Sequence, residues 1–429
     1  MRMHADKPEA RAVRASDPPR DGTGAARLTD LHFPGADLTI RLVDADRLRC
    51  GLSSVVKGWR PEIRPTPASG AHAKRLSRVA VRRDGFTAAS PFYEDELSGL
   101  GLAEACCAVL SDLTESWIDA NPGSFALHCG AFRFQGGLVM LTGPRRAGKS
   151  TLIARLGAEV DATIFCDDVL PLTPSGLAVG LGIAPRIRLP MPRRSHPDFL
   201  RHVRKTPGAR DRCYAYLRSD NLAPHGTMAE PSTLIVLDRR ANGAARLHRM
   251  AQDQALHHLL AQNMAHLGDA EAAFAGARCL LGRLTVLRMV YSDLEEAVAL
   301  LRRNFATDAP DECEPEPGPE LHVPLTPPPP ERPARPFDPD RVWKQRPNVM
   351  LRQVEGSAFL WTRGGKTVWH LNPVGHVIWS ALEIPGDVTE LAELLADLYP
   401  DVPRATLLSD TWCLLAELAE AGFVVAADG

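Results

Sequence analysis

The segment Gly143–Thr151 constrains the fold of this chain more than any other feature of its sequence. Its residues, Gly-Pro-Arg-Arg-Ala-Gly-Lys-Ser-Thr, satisfy the pattern G-x-x-x-x-G-K-[ST]. The apolar run Leu138–Leu141 before it predicts a buried strand, and Thr151–Leu156 after it can begin a helix. Gly143 and Gly148 permit backbone turns that bulkier residues resist, so successive N–H groups can point at phosphate oxygens. The alternative is a glycine-rich turn that precedes a helix by chance, but the strand–loop–helix context favours a phosphate-binding P-loop.

The P-loop pattern gives individual side chains a role. Lys149 would neutralise the β- and γ-phosphates of a nucleoside triphosphate, and the Ser150 hydroxyl would bind Mg²⁺. The helix that follows adds the positive end of its dipole. Arg145 and Arg146 could add phosphate contacts or could face solvent. The predicted nucleotide-binding residues are Gly143, Pro144, Arg145, Arg146, Ala147, Gly148, Lys149, Ser150 and Thr151.

Length and composition exclude several classes of protein. A chain of 429 residues predicts two or three domains, and 45% hydrophobic with 24% charged residues is typical of soluble globular proteins. The net charge of −2 gives no reason to expect nucleic acid or an anionic membrane as a partner, and no apolar run is long enough to span a bilayer. The nine cysteines contain no C-x-x-C pair, which favours a reducing cytoplasm over a disulfide framework or a zinc site.

A proline-rich segment, residues 309–340, supplies the clearest boundary. Such a segment resists helix and central strand and predicts a stiff, extended spacer. It separates a large N-terminal unit, residues 28–308, from a C-terminal unit, residues 341–429. Residues 1–27 are polar, rich in arginine, aspartate, proline and glycine, and lack the apolar stretch of a signal peptide, so we expect a disordered tail.

In the N-terminal unit, apolar segments of strand length alternate with helical ones, which predicts an α/β sheet flanked by helices. Two apolar runs, Phe125–Phe134 and Leu138–Leu141, flank Gly136-Gly137 and predict a hairpin whose second strand feeds the P-loop. The other predicted strands are Leu38–Val43, Val79–Val81, Thr163–Cys166, Thr233–Leu237 and Thr285–Val290, and the predicted helices are Gly101–Ile118, Ala251–Leu267 and Asp293–Arg303.

The C-terminal unit predicts a hairpin followed by three helices, a small winged-helix-like arrangement. Gly364-Gly365 forms the turn between the strands Ala358–Thr362 and Lys366–His370. Asn372 is a good N-cap, with Pro373 at the first helical position. The second helix follows residue 387, and the third runs from about residue 403 to a stop at residue 422. No catalytic constellation is visible in this unit.

Two adjacent carboxylates, Asp167 and Asp168, end the apolar segment Ile164–Cys166, one strand and one helix after the P-loop. This layout is typical of a Walker-B-like element, in which one carboxylate holds Mg²⁺ directly or through water while its neighbour points elsewhere. Two acids beside a metal and phosphates can divide the roles of ligand and general base. The alternative is a solvated turn or a helix cap. We predict that Asp168 and Ser150 bind the metal and that Asp167 is the base.

Three basic residues are further candidates. His128 lies on the predicted strand that runs antiparallel to the one feeding the P-loop, so it could reach the phosphates, although a histidine in an apolar strand is often a core residue. Arg186 and Arg188 alternate in Ala-Pro-Arg-Ile-Arg-Leu-Pro, which places both on one face, where they could stabilise a transferred phosphoryl group or be solvated. We predict catalytic roles for Asp167, Asp168, His128 and Arg188.

The order and spacing of three motifs resemble the HPr kinase/phosphorylase superfamily. They are Leu127–Gly130 (Leu-His-Cys-Gly), Gly143–Thr151, and Cys166–Val169 (Cys-Asp-Asp-Val). The resemblance covers roughly residues 120–300 and implies a P-loop domain related to phosphoenolpyruvate carboxykinase. It also implies Mg·ATP-dependent phosphorylation of a serine hydroxyl on a peptide or protein, with one of the two aspartates as base and His128 as an assistant.

The chain departs from that family at two places. Arg145 and Arg146 stand where the bacterial family usually has Ser-Gly, and Arg186–Pro190 occupies the place of its Glu-Ile-Arg-Gly segment. The resemblance therefore implies neither the metal-binding role of that glutamate nor the phosphorolysis reaction. We expect a kinase that does not regulate sugar transport.

The C-terminal unit resembles a PqqD-type peptide chaperone over nearly all of residues 341–427. The similar segments are Leu371–Trp379, Val388–Leu391, an acidic helix, and Ala421–Val424. The resemblance implies that the unit holds the leader of a ribosomally made precursor peptide as a strand added to the hairpin edge.

Two hypotheses from different classes follow. The first is a cytoplasmic kinase with ATP and Mg²⁺ as ligands that phosphorylates a hydroxyl of a precursor peptide held by its leader, possible partners being other enzymes of the same modification pathway. In this hypothesis tethering raises the effective concentration of the core peptide. The second is a nucleotide-gated peptide-binding module that transfers no phosphate. Phosphorylation could also be transient and activate the hydroxyl for a partner enzyme.

Overall fold

The computed structural model describes residues 26–64, 75–123, 125–192, 195–265, 268–306, 316–317 and 337–427. The tail predicted at residues 1–27 and the spacer predicted at residues 309–340 lie almost wholly outside the described residues. The chain divides into two compact units. Apart from those gaps, the first contains residues 26–249, 262–265 and 283–317, and the second contains residues 250–261, 268–282 and 337–427. The second unit thus takes two stretches from the middle of the chain.

Six strands and two helices open the first unit: β1 (Leu28–His32), β2 (Thr39–Val43), α1 (Asp46–Val55), β3 (Glu62–Arg64), β4 (Leu76–Arg82), β5 (Gly85–Ala89), β6 (Leu97–Leu100) and α2 (Leu102–Ala120). The strands form one sheet in the order β3-β1-β2-β4-β5-β6. At the start of α2, the Glu104 carboxylate accepts from the Gly101 N–H, which satisfies a donor that the helix leaves unpaired. The helix buries Val109 and Leu113 in the core. This sheet carries none of the predicted site residues.

The next elements are β7 (Phe125–His128), β8 (Gly130–Arg133), β9 (Leu138–Thr142), α3 (Lys149–Leu156), β10 (Thr163–Cys166), β11 (Val169–Leu172), β12 (Ala178–Gly180), β13 (Arg186–Arg188), α4 (Pro197–Lys205), β14 (Tyr214–Tyr216), β15 (Thr227–Ala229), β16 (Pro231–Arg239), β17 (Arg246–Arg249), α5 (Gln252–Ala261), α6 (Ala270–Leu281), β18 (Thr285–Tyr291), α7 (Leu294–Phe305) and β19 (Glu316–Pro317). All except α5 and α6 belong to the first unit.

These strands build two larger sheets and one strand pair. The seven-stranded sheet has the order β10-β8-β9-β16-β18-β17-β19, with β16 parallel to both β9 and β18. The four-stranded sheet has the order β15-β12-β11-β7, and β13 pairs with β14. Strands β9, β16 and β18 are mostly apolar and almost completely buried, as expected for parallel strands covered on both faces. The P-loop therefore leaves the centre of a buried sheet.

The chain changes sheets at two neighbouring points. It passes from β7 to β8 at Cys129, and from β10 to β11 at Asp167 and Asp168. The sequence predicted one strand over 125–134, with His128 beside the P-loop strand. This prediction was wrong, because β8 pairs with β9 whereas β7 pairs with β11 in the other sheet. A side chain at Gly130 would collide with Ile153 of α3, so only glycine allows the chain to pass here.

The second unit contains α5, α6 and the elements β20 (Trp343–Gln345), β21 (Val349–Val354), β22 (Ser357–Thr362), β23 (Trp369–Leu371), α8 (Pro373–Ala381), α9 (Val388–Leu398), α10 (Arg404–Glu420) and β24 (Val424–Ala426). The predicted hairpin and three helices are confirmed. The Asn372 side chain accepts from the Gly375 N–H, and Asp387 caps α9. Strand β21 adds to the hairpin to give the order β21-β22-β23, and β20 pairs with β24.

The three-stranded sheet is covered on both faces. Ala358 and Leu360 of β22 belong to the hydrophobic core that includes residues of α8, α9 and α10. The alternate residues, Phe359 and Trp361, lie against Phe274 of α6, with ring centroids 5.4 and 5.0 Å apart. Because side chains alternate along a strand, α6 covers the face opposite to the C-terminal helices.

The described part of the chain is a mixed α/β protein with ten helices and several sheets, and its small C-terminal unit contains the predicted hairpin and three helices together with three further strands and the helices α5 and α6. In that part, every helix is too short or too polar to cross a bilayer.

Candidate functional site

The P-loop turns sharply between β9 and α3, and two glycines make the turn possible. Gly143 has a φ of +152°, and a Cβ there would lie 2.9 Å from the carbonyl oxygen of Leu237 on β16. Gly148 has a φ of +95°, and a Cβ there would collide with the Tyr291 hydroxyl. That hydroxyl donates to the Ala147 carbonyl at 2.5 Å. The loop therefore packs directly on β16 and β18, and the glycines are required for this approach.

Lys149, the first residue of α3, folds back over the loop. Its Nζ donates to the Gly143 carbonyl at 2.9 Å, and the residue is only 8% exposed. Ser150 is half-buried and Thr151 is exposed in the first turn of the helix. Arg146 adopts a φ of +69°, a conformation that costs energy for a residue other than glycine and recurs at ligand-binding loops. The loop thus brings a buried ammonium group to its own concave side.

The remaining nucleotide-binding candidates of the loop differ in exposure. Pro144 is half-buried and Ala147 is buried, whereas Arg145 and Arg146 are exposed. The exposure of the two arginines agrees with the solvent-facing alternative and leaves both side chains accessible to a ligand.

Asp167 and Asp168 lie between the two sheets but differ in environment. The Asp167 side chain is buried, the residue being 7% exposed, and its Oδ2 accepts from the Arg186 backbone N–H at 2.9 Å. The Asp168 side chain is 58% exposed, and its Oδ1 lies 3.3 Å from Nε2 of His128. His128 reaches Asp168 because β7 and β11 pair antiparallel with His128 opposite Val169. The structure therefore brings His128 to the aspartate pair, although through the four-stranded sheet.

The two carboxyl groups titrate in opposite directions. Burial raises the pKa of Asp167 to about 7, and the negative charge of Asp168 adds to this effect. Desolvation also raises the pKa of Asp168, but His128, Arg186 and Lys149 outweigh it, so the pKa of Asp168 lies below its ordinary value. At neutral pH the pair therefore consists of an ionised carboxylate that solvent can reach and a buried carboxyl near its midpoint.

Of the two arginines on β13, Arg186 lies beside the aspartates. Its backbone holds Asp167, and its guanidinium stands 4.7 Å from the ring centroid of Tyr214 and contacts the Cys107 thiol. Its positive charge lowers the pKa of both aspartates. Arg188, for which the sequence predicted a catalytic role, is exposed on the same strand. The catalytic role of Arg188 stays a prediction, and the observed contacts favour Arg186.

Three residues near the site escaped the sequence analysis. Tyr291 holds the P-loop, Cys107 contacts Arg186, and the Gln262 carbonyl accepts from the His128 N–H at 2.9 Å. Of these three, only Tyr291 had a signal in the sequence, because it is a tyrosine at the end of a predicted strand. The contacts of Cys107 and Gln262 join positions far apart in sequence, and no local pattern reveals them.

A magnesium site at this position would need ligands from outside the chain. The described residues contain no group of three or more His, Cys, Asp or Glu side chains that could hold a metal ion. Mg²⁺ in phosphate-binding sites usually takes one or two protein oxygens and completes its shell with phosphates and water. The ionised, exposed Asp168 and the hydroxyl of Ser150 fit that arrangement.

Comparison with known proteins bears on the second unit. Residues 354–424 match the protein family described as coenzyme PQQ synthesis protein D (PqqD). The matched region runs from the end of β21 to the start of β24 and contains α8, α9 and α10. The chain therefore carries a PqqD domain, as its sequence predicted. A search of the curated proteins found no match.

Proposed function

We propose that the chain is an ATP-dependent kinase that phosphorylates a hydroxyl group, that of a serine, on a ribosomally made precursor peptide. One observation carries the proposal: the polypeptide that contains a PqqD domain also places His128 against Asp168, and the positive charge of Lys149 lowers the pKa of that aspartate. A peptide-binding function alone requires neither a P-loop nor a carboxylate pair with opposed protonation.

The P-loop supplies the phosphate-binding groups in this proposal. Lys149 would break its hydrogen bond to the Gly143 carbonyl and donate to phosphate oxygens instead. Ser150 and Asp168 would hold Mg²⁺. The metal, when bound, would shield the negative charge of the phosphates. Because the pKa of Asp168 is lowered, this ligand is ionised at neutral pH without a cost for deprotonation.

Asp167 would take the proton of the substrate hydroxyl. A general base works best when its pKa lies near the operating pH, and burial raises the pKa of Asp167 to about 7. The Arg186 N–H fixes Oδ2 of this carboxylate, which leaves Oδ1 for the substrate. His128 keeps Asp168 in place through the 3.3 Å contact, and the Arg186 guanidinium would stabilise charge on the transferred group.

The PqqD domain would hold the peptide. Such domains suggest a peptide-binding role in the biosynthesis of ribosomally made, modified peptides. Among the described residues, both edge strands of the three-stranded sheet, β21 and β23, have a side without a paired strand. An extended leader could add to such an edge through backbone hydrogen bonds, with specificity from alternate side chains. Tethering by the leader would then raise the local concentration of the core peptide.

A second candidate is a peptide-binding module gated by nucleotide, without phosphate transfer. The burial of Asp167 favours it, because a carboxylate that is 7% exposed and bonded to a backbone N–H could serve only to hold the connection between β10 and β11 against β13. The two candidate functions predict different changes in the mass of the peptide. We suggest incubating the protein with Mg·ATP and peptides encoded beside its gene, followed by mass spectrometry. One added phosphate supports the kinase, and nucleotide-dependent binding at constant mass supports the module.

A further inference from the structure

Helix α5 is anchored to the sheet of the PqqD domain at its N-terminal end. The Glu355 carboxylate, in the turn between β21 and β22, accepts from the Gln252 N–H at 3.0 Å. One residue later, Asp253 Oδ2 accepts from the Ser357 hydroxyl at 2.5 Å, and both residues are buried. A carboxylate at a helix N-terminus is stabilised by the unpaired N–H groups and by the helix dipole. The first turn of α5 is therefore fixed to the β21–β22 hairpin.

The middle of the same helix contacts the edge strand β23. The imidazoles of His257 and His370 stack with centroids 4.2 Å apart, and His370 also contacts Phe359 at 5.1 Å. His370 is one of the three residues of β23. A peptide strand that pairs with this edge would therefore bind next to a residue that touches α5.

The C-terminal end of α5 leads directly into the catalytic region. The helix ends at Ala261, and the next residue, Gln262, belongs to the first unit. There the Gln262 carbonyl accepts from the His128 N–H at 2.9 Å, and Asn263 forms a bridge with Leu127. The Met264 N–H donates to the Ala126 carbonyl at 2.7 Å. These bonds attach residues 262–264 to β7 and fix the backbone of His128.

We propose that residues 262–264 position His128 against Asp168, and that α5 couples this position to the occupancy of the β23 edge. A ten-residue helix about 15 Å long transmits a displacement of its first turn to its last. The inference rests on the proposed function for its two ligands. Coupling between two binding sites is reciprocal. A nucleotide bound at the P-loop must therefore change the affinity of the β23 edge for peptide by the same factor as a bound peptide changes the affinity for nucleotide.

The reciprocal effect can be measured without knowing the peptide. Hydrogen–deuterium exchange of the full chain would be recorded with and without Mg²⁺ and the non-hydrolysable ATP analogue AMP-PNP. We expect slower exchange in residues 143–151 and, in addition, exchange that is about five-fold slower or more in residues 252–261 and 369–371. Slowing in residues 143–151 alone would overturn the coupling and leave the proposed function intact. No slowing in residues 143–151 would refute nucleotide binding, and the coupling with it.

Variants at the anchor test whether α5 carries the effect. Ser357→Ala removes the hydroxyl that holds Asp253, and it should weaken the response of residues 369–371 while residues 143–151 still respond. Ser357→Thr keeps the hydroxyl and should restore the response. If Ser357→Ala fails to fold, Glu355→Gln weakens the other anchor, with Glu271→Gln on the exposed side of α6 as its matched control. An undiminished response at residues 369–371 in a folded anchor variant would contradict the proposal.

Discussion

Nε2 of His128 lies 3.3 Å from Oδ1 of Asp168, and the two residues stand at the points where the chain leaves one sheet for another. The contact exists because Val169 pairs with His128 in the four-stranded sheet. It leaves Asp167, the neighbour of Asp168, facing the Arg186 N–H in the interior. Adjacent carboxylates in unlike surroundings acquire different protonation states.

Lys149→Ala should lower nucleotide turnover at least about 100-fold, because the ammonium group is the charge that the P-loop brings to the phosphates. Stability should fall far less steeply than turnover, by about 1 kcal/mol for the hydrogen bond from Nζ to the Gly143 carbonyl. Phosphate release and thermal unfolding would measure the two effects. Lys205→Ala, at an exposed lysine of α4, is the control. More than a tenth of wild-type turnover in Lys149→Ala would remove the P-loop from the mechanism.

Asp167→Asn should become more stable relative to the wild-type protein as the pH rises. Folding raises the pKa of Asp167 to about 7, so the stability that its protonated form supplies is lost as the pH rises towards 7. The variant lacks this titration. Its advantage in the free energy of unfolding should grow by roughly 3 kcal/mol between pH 5 and pH 8, measured by urea denaturation.

Asp168→Asn is the control for this experiment and should show no such change between pH 5 and pH 8. Because the pKa of Asp168 is lowered, its carboxylate is ionised throughout this range in the folded and the unfolded chain, and the stability that it contributes is lost only as the pH falls below its ordinary pKa. The loss should be small, since the side chain is 58% exposed. Equal pH dependence in both variants and wild type would refute the assigned protonation states.

Arg186→Gln and Arg188→Gln form a matched pair on β13. Arg186 lies beside both aspartates, so its replacement should lower kcat at least about ten-fold, whereas replacement of the exposed Arg188 should change kcat less than about three-fold. Steady-state phosphate transfer with both substrates varied would separate kcat from KM. The reverse order would restore the role that the sequence analysis gave to Arg188.

Deletion of residues 341–429 should keep the affinity for ATP but remove the preference for full-length precursor over leaderless peptide, a preference that can reach about 100-fold for tethered sites. The deletion also removes the sheet that covers Phe274, so the truncated protein should carry Phe274→Ser to reduce aggregation through the uncovered ring. Competition between the two peptides, followed by mass spectrometry, gives the ratio directly. An unchanged ratio would show that the PqqD domain does not bind the leader.

Phe274→Ala in the full chain should destabilise the second unit by about 3 to 5 kcal/mol, because the ring is buried against Phe359 and Trp361. Faster hydrogen exchange of the β22 amides would report the loss. Leu394→Ala, at a leucine of α9 that is 44% exposed, should change stability by less than about 0.5 kcal/mol. Similar effects of the two changes would mean that α6 contributes little to the sheet.

Local patterns predicted the parts of the site that are contiguous in sequence. The strand, loop and helix over residues 138–156 follow from an apolar run, two glycines and a helix start, and all three are present. The break at Cys129 was not predictable because residues 125–134 form one largely apolar run, and the break depends on the approach of Ile153 to Gly130. The sequence also could not predict which arginine contacts Asp167, because the alternation of Arg186 and Arg188 indicates that they share a face of the strand but not which residue each contacts.

Local sequence patterns also failed to predict that α5 and α6 pack with the C-terminal unit. Periodicity predicted a helix near residues 251–267, and α5 occupies residues 252–261. Its position along the chain, between two strands of the first unit, gave no reason to expect contacts with a hairpin about 100 residues later. The association becomes visible only in three dimensions, through contacts such as that between the rings of Phe274 and Trp361.

The cover that α5 and α6 place over the three-stranded sheet has a consequence for protein engineering. The PqqD domain of this chain is not a cassette that can be cut after the proline-rich segment and grafted onto another enzyme. A transplant of residues 337–429 would carry an unprotected aromatic surface formed by Phe359 and Trp361. A functional graft would have to include residues 250–282 as well, through a circular rearrangement of the gene or by co-expression of the helical pair as a separate peptide.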